Sequence, residues 1–144
     1  MSDTIAPLDW AGERLRQLDV VVRQLLSSPV LVFDERSHRL LPEQQGIYAI
    51  YVKSARPGDV LRAGKTRTAA SGLRQRIYQN HLMGKQTGNL RSQLVQEGVC
   101  KGMEDTKPWI RANCVVQYVV IEGDDMRKWA EYMMLALLQP KYCD

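Results

Sequence analysis

Apolar residues recur at mostly three- and four-residue steps early in the chain, at Trp10, Leu15, Leu18, Val22 and Leu25. That spacing predicts an amphipathic helix, capped by Asp9 and ended at Ser27-Ser28-Pro29, with Arg14, Arg16 and Arg23 off the apolar stripe. The pattern changes at Gly46. Residues 46–52 read Gly-Ile-Tyr-Ala-Ile-Tyr-Val, an alternating run rich in β-branched and aromatic residues. It predicts a strand with Ile47, Ala49 and Tyr51 on one face and Tyr48, Ile50 and Val52 on the other. Pro57-Gly58 marks a turn, and residues 60–63 return as the second strand of a hairpin. In that strand Val60 and Arg62 share one face, and Leu61 and Ala63 the other.

A loop over residues 64–72, with Ser71 or Thr68 as cap, leads into a helix over 73–82. Leu73 and Ile77 point inward there, and Arg76 and Asn80 share another face. His81 follows Arg76 by five residues, which places it about 140° away on an α-helix. A short helix is expected over 90–97, and an irregular stretch around Pro108. Residues 113–121 are nearly continuously apolar and predict a central strand covered on both faces. Asp124 or Asp125 then caps a helix over 126–138, apolar nearly all round from Tyr132, with Met126, Met133 and Met134 in the core. Residues 30–33 fit an edge strand or a buried loop, and 34–45 a connector with a solvated His38. The expected fold class is α/β (α+β): a small three-stranded, mainly antiparallel sheet flanked by helices. Residues 1–45 would be a helix and connector packed on a domain of residues 46–144.

At 144 residues the chain is expected to be one domain with a core that needs no staples. A net charge of +4 and a pI of about 9.1 permit a phosphate-bearing partner without requiring one. Cys100, Cys114 and Cys143 form no CxxC pair, which argues against a disulfide framework or a zinc cluster. The first residues lack the pattern of a secretory signal, and no apolar run approaches the roughly 20 residues of a membrane span. The expectation is a cytoplasmic, reduced protein with no membrane partner.

The chemistry concentrates between Gly46 and His81, where a tyrosine, a lysine and arginines can converge on an anion. Gly64-Lys65-Thr66 is not a phosphate-binding P-loop, because the glycine that motif needs four residues earlier is Asp59. With Gly46-Ile47-Tyr48, then Arg62-Ala63-Gly64-Lys65, then the helix Leu73-Arg74-Gln75-Arg76, then Glu131 followed by Pro140, the chain resembles the GIY-YIG nuclease family over residues 46–143.

That resemblance implies an endonuclease that hydrolyses phosphodiesters in DNA with one Mg²⁺ (or Mn²⁺) held by Glu131. It implies catalytic roles for Tyr48, Lys65, Arg76 and His81, and substrate contacts from Arg62, Arg67, Arg74 and Asn80. Magnesium keeps much of its hydration and often takes only one or two carboxylates. A guanidinium fork suits a scissile phosphate. The chain departs from the family at the second tyrosine, which is Arg62 and cannot accept a proton. Some members carry a histidine four residues after the helical arginine; here Asn80 stands there and His81 follows. The asparagine expected after the proline is Cys143. Glu131 also follows Arg127 by four residues, the spacing of a surface ion pair. Two further readings stay open: a nuclease-like module that binds nucleic acid with weak or no cleavage, and an interaction domain working through its first helix. Site specificity would come from loops, a homodimer partner or another subunit.

Overall fold

A computed structural model of the chain describes residues 6–54, 56, 59–67, 72–84 and 88–142. The expected Pro57-Gly58 turn, the Thr68 and Ser71 caps and Cys143 lie outside those residues. The elements are α1 (Pro7–Ser27), β1 (Leu31–Val32), α2 (Glu35–Leu40), β2 (Gly46–Val52), β3 (Val60–Lys65), a π-helix (Gln75–Met83), α3 (Leu90–Gln96), α4 (Met103–Asn113), β4 (Cys114–Val120) and α5 (Asp124–Leu138). The strands form an antiparallel sheet in the order β1-β4-β2-β3.

The sheet therefore has four strands where three were expected, because Leu31 and Val32 pair with Val116 and Val115 and add an edge. β2 and β4 are the inner strands, β4 as its apolar run predicts. Alternation along β2 splits the core in two. Tyr48 and Ile50 join Leu73, Ile77, Leu82, Leu90, Leu94 and Ile110 under the π-helix, α3 and α4. Ile47, Ala49 and Tyr51 join Leu25, Ala130 and Met134 under α1 and α5. Gln117 ties α1 to the second face: it accepts from the Tyr51 hydroxyl at 2.7 Å and donates to the carbonyls of Leu26 and Ser28.

Several expectations change. The register shifts between Ile50 and Tyr51, so the face assignment in β3 changes. Val60 and Ala63 lie in the α1/α5 cluster, Leu61 lies in the other, and Arg62 stands opposite Ile50. The connector holds α2, whose start is fixed by a reciprocal cap between Asp34 and Ser37. His38 is not merely solvated: its ring sits 4.2 Å from that of Tyr78. The stretch expected to be irregular is α4, with Pro108 on its exposed side and Thr106 and Ile110 buried. On α1 only Val22 and Leu25 are buried, and Trp10 and Leu15 stand in solvent. α5 buries one stripe, Arg127, Ala130 and Met134, and leaves Tyr132 and Leu137 exposed; Met126 and Met133 are half-buried.

Candidate active site around Tyr48

Tyr48 is fully buried in β2, directly opposite Gly64 of β3. A Cβ at position 64 would lie 2.9 Å from the Tyr48 hydroxyl oxygen, so only glycine leaves that oxygen its space. The helix over 75–83 supplies the groups around it. Its turns are π rather than α, so residues five apart come onto one side. Arg76 and His81 are five apart. The Arg76 Nε–H donates to the Tyr48 hydroxyl oxygen at 3.2 Å, and His81 Nε2 lies 2.7 Å from the same oxygen. An α-helix would have carried His81 round to the side of Ile77.

The tautomer of His81 follows from its other nitrogen. The backbone N–H of Leu90 donates to Nδ1 at 3.1 Å, so Nδ1 offers a lone pair. The proton of the neutral ring is then on Nε2 and donates to Tyr48. Burial, reinforced by the guanidiniums of Arg62 and Arg76, holds His81 well below its ordinary pKa, so the ring stays neutral. Burial raises the Tyr48 phenol, and the charges of Arg76 and Arg62 act against that rise. The phenol oxygen is thus surrounded by N–H donors. Such a shell favours an anion on the oxygen, while desolvation opposes it.

Arg62, two residues before Gly64 and opposite Ile50, shares the face of Tyr48 and is itself buried. Its guanidinium donates to the Gly88 carbonyl and to Gln93 Oε1, the latter at 2.7 Å. Arg62 therefore ties β3 to the segment that opens α3.

The other predicted site residues are not drawn into this cluster. Lys65 pairs with Ile47 and so belongs to the α1/α5 face. Arg67 is exposed beyond the end of β3. Arg74 donates to the Leu41 carbonyl at 2.8 Å and pairs with Glu43 at 3.0 Å, which fastens the helix to the segment after α2. The Asn80 carbonyl accepts from Asn89 at 2.7 Å.

Glu131 is half-buried on α5, the helix packed on the far face from Tyr48. Its expected ion-pair partner is elsewhere. Arg127 is buried and donates to the carbonyls of Thr66, Ile121 and Glu122, and it pairs with Asp124 at 2.5 Å.

A divalent cation does not fit the Tyr48 cluster, whose surrounding groups are two guanidiniums and an imidazole with both nitrogens engaged. No group of three or more His, Cys, Asp and Glu side chains among the described residues could hold a metal. Glu131 has no ion pair with another described residue.

Three contributions escaped sequence reasoning. Leu90 acts through its backbone N–H, which no side-chain pattern reveals. Gln93 is an ordinary helix residue until Arg62 reaches it. Thr66, fully buried, accepts from the Gly46 N–H at 3.0 Å and closes the end of the hairpin.

Comparison of the chain with protein-family models, with curated proteins and with solved structures returned no match.

Proposed function

We propose that this chain is an endonuclease that hydrolyses phosphodiesters in DNA, of the kind its motifs resemble. The reading rests on one observation: the Tyr48 phenol oxygen is held between the Arg76 guanidinium and the His81 imidazole. Arg76 is half-exposed and is the group of this cluster that meets solvent. It receives the phosphate through its planar fork, and that contact strengthens as negative charge develops. Tyr48 orients the attacking water through its hydroxyl, and its shell of donors favours the phenolate form that would accept that water's proton. His81, held as the Nε2–H tautomer, keeps one donor fixed on that oxygen and is not a base. The divalent ion that the resemblance implies on Glu131 would sit on the opposite face of the sheet, away from this phosphate contact.

A second reading is favoured by a different observation. Arg62 occupies the second tyrosine position and is locked to Gly88 and Gln93, and Tyr48 itself is buried. Phosphate contact without efficient cleavage would follow from a site that water reaches poorly.

Nicking of supercoiled plasmid in Mg²⁺ or Mn²⁺ by the wild type and Arg76→Ala tests the first reading. Nicking that Arg76→Ala abolishes supports it. Plasmid binding without nicking turns the assignment to the second.

A further inference from the structure

Between α1 and α5 runs an open cleft of about 560 Å³ lined by Arg14, Gln17, Leu18, Trp129, Tyr132 and Met133. Its volume falls within the about 300–1,000 Å³ of small-ligand sites. Trp129 and Tyr132 stand 51% and 54% exposed, with ring centroids 5.7 Å apart and planes tilted by 50°. Two aromatic rings left half in water on one helix are an apolar surface waiting for a cover.

The cations around them are unusual for these helices. Arg16 pairs with Glu13 and Arg23 with Asp19, and Arg127 is consumed by its buried carbonyls. Arg14 and Lys128 have no carboxylate partner among the described residues. Both lie against aromatic rings instead, Arg14 at 4.7 Å from the Trp10 centroid and Lys128 at 4.7 Å from that of Trp129. Exposed rings flanked by unneutralised cations match a base with its phosphates: every nucleobase offers a π-face to stack, and its backbone carries the opposite charge.

We propose that the α1/α5 cleft binds an unpaired nucleobase of single-stranded nucleic acid. The base stacks on Trp129 and Tyr132, and the neighbouring phosphates meet Arg14 and Lys128. The proposal rests on the nucleic-acid reading above and extends it to a second surface, on the opposite side of the sheet from Tyr48. That surface would hold an unpaired strand while the Tyr48 cluster meets a phosphodiester.

The test is fluorescence anisotropy with a labelled oligothymidylate and with an abasic strand of the same length, which keeps the charge and removes the bases. Trp129→Ala should weaken oligothymidylate binding about 10-fold and leave the abasic strand unchanged. Arg14→Gln should weaken both. Trp129 is exposed, so an unchanged melting temperature should confirm that the variant folds. Equal oligothymidylate affinity for wild type and Trp129→Ala overturns the cleft assignment, while an Arg76-dependent nicking activity would still stand. A Trp129→Ala variant that sediments as a smaller species with unchanged affinity shows that a second copy covers the cleft, and also overturns it. No binding of either strand by the wild type overturns this proposal, while plasmid nicking decides separately the reading it rests on.

Discussion

The Tyr48 hydroxyl and His81 Nε2 lie 2.7 Å apart across 33 residues of sequence, and a π-helix is what brings them together. The contact is fixed from behind by the Leu90 N–H, so α3, the π-helix and β2 meet at one imidazole. Disturbing any of the three should be felt at the phenol oxygen.

Gly64→Ala tests the space for that oxygen. The new methyl would sit 2.9 Å from the hydroxyl and 3.2 Å from Cζ of Tyr48, in a core with no room to yield. The expected cost is about 1–3 kcal/mol, read from urea unfolding, with loss of any nicking activity. A variant as stable and as active as wild type would show that Tyr48 can move aside.

The buried neutral histidine makes stability depend on pH. In the folded chain His81 is held well below its ordinary 6.5, whereas in the unfolded chain it titrates near that value. The unfolded state therefore binds more protons as pH falls below about 6.5, and this contribution, fully present above it, is lost on acidification. The slope should approach about 1.4 kcal/mol per pH unit for one proton. His81→Gln, which cannot titrate, should show a shallower loss between about pH 6.5 and pH 5. Parallel pH profiles of unfolding free energy for the two proteins would contradict the assignment.

Arg62→Lys separates a structural arginine from a general positive charge. Lysine keeps the charge but lacks the fork that reaches both Gly88 and Gln93. Losing one of these part-buried hydrogen bonds should cost about 1 kcal/mol. Calorimetry would show it as a lowered melting temperature, and an unshifted melting point would mean that Arg62 is not an anchor.

The hairpin, the central strand and the arginine helix were legible because alternation and three- and four-residue spacing are local properties of Gly46–Val52, of 113–121 and of Leu73 with Ile77. The details that set the site are not local. His81 reaches Tyr48 through π turns, and the partners on the two sides of its ring come from β2 and from the start of α3. The bulge that turns Leu61 onto the Tyr48 face depends on how β3 pairs with β2. α2 did carry a signal, the Asp34 to Ser37 spacing of a capping box, within a stretch too polar to read as a helix. α4 was hidden by Pro108.

Glu131 and Arg127 make a contrast on one helix. Arg127→Ala should cost about 3 kcal/mol, because the buried Thr66 carbonyl, the part-buried carbonyls of Ile121 and Glu122, and Asp124 lose their donor. Glu131→Ala should stay within about 0.5 kcal/mol, since its carboxylate pairs with no described residue. Urea unfolding of both variants gives the comparison. A large cost at Glu131 would mark it as structural and weaken its assignment to a metal.

The most direct test of the central claim is the nicking of supercoiled plasmid by wild type and Arg76→Ala, each with Mg²⁺, with Mn²⁺ and with chelator. The account predicts nicking by the wild type, and its loss in Arg76→Ala while that variant remains folded. A wild type that leaves the plasmid intact, or nicking that survives Arg76→Ala, would contradict it.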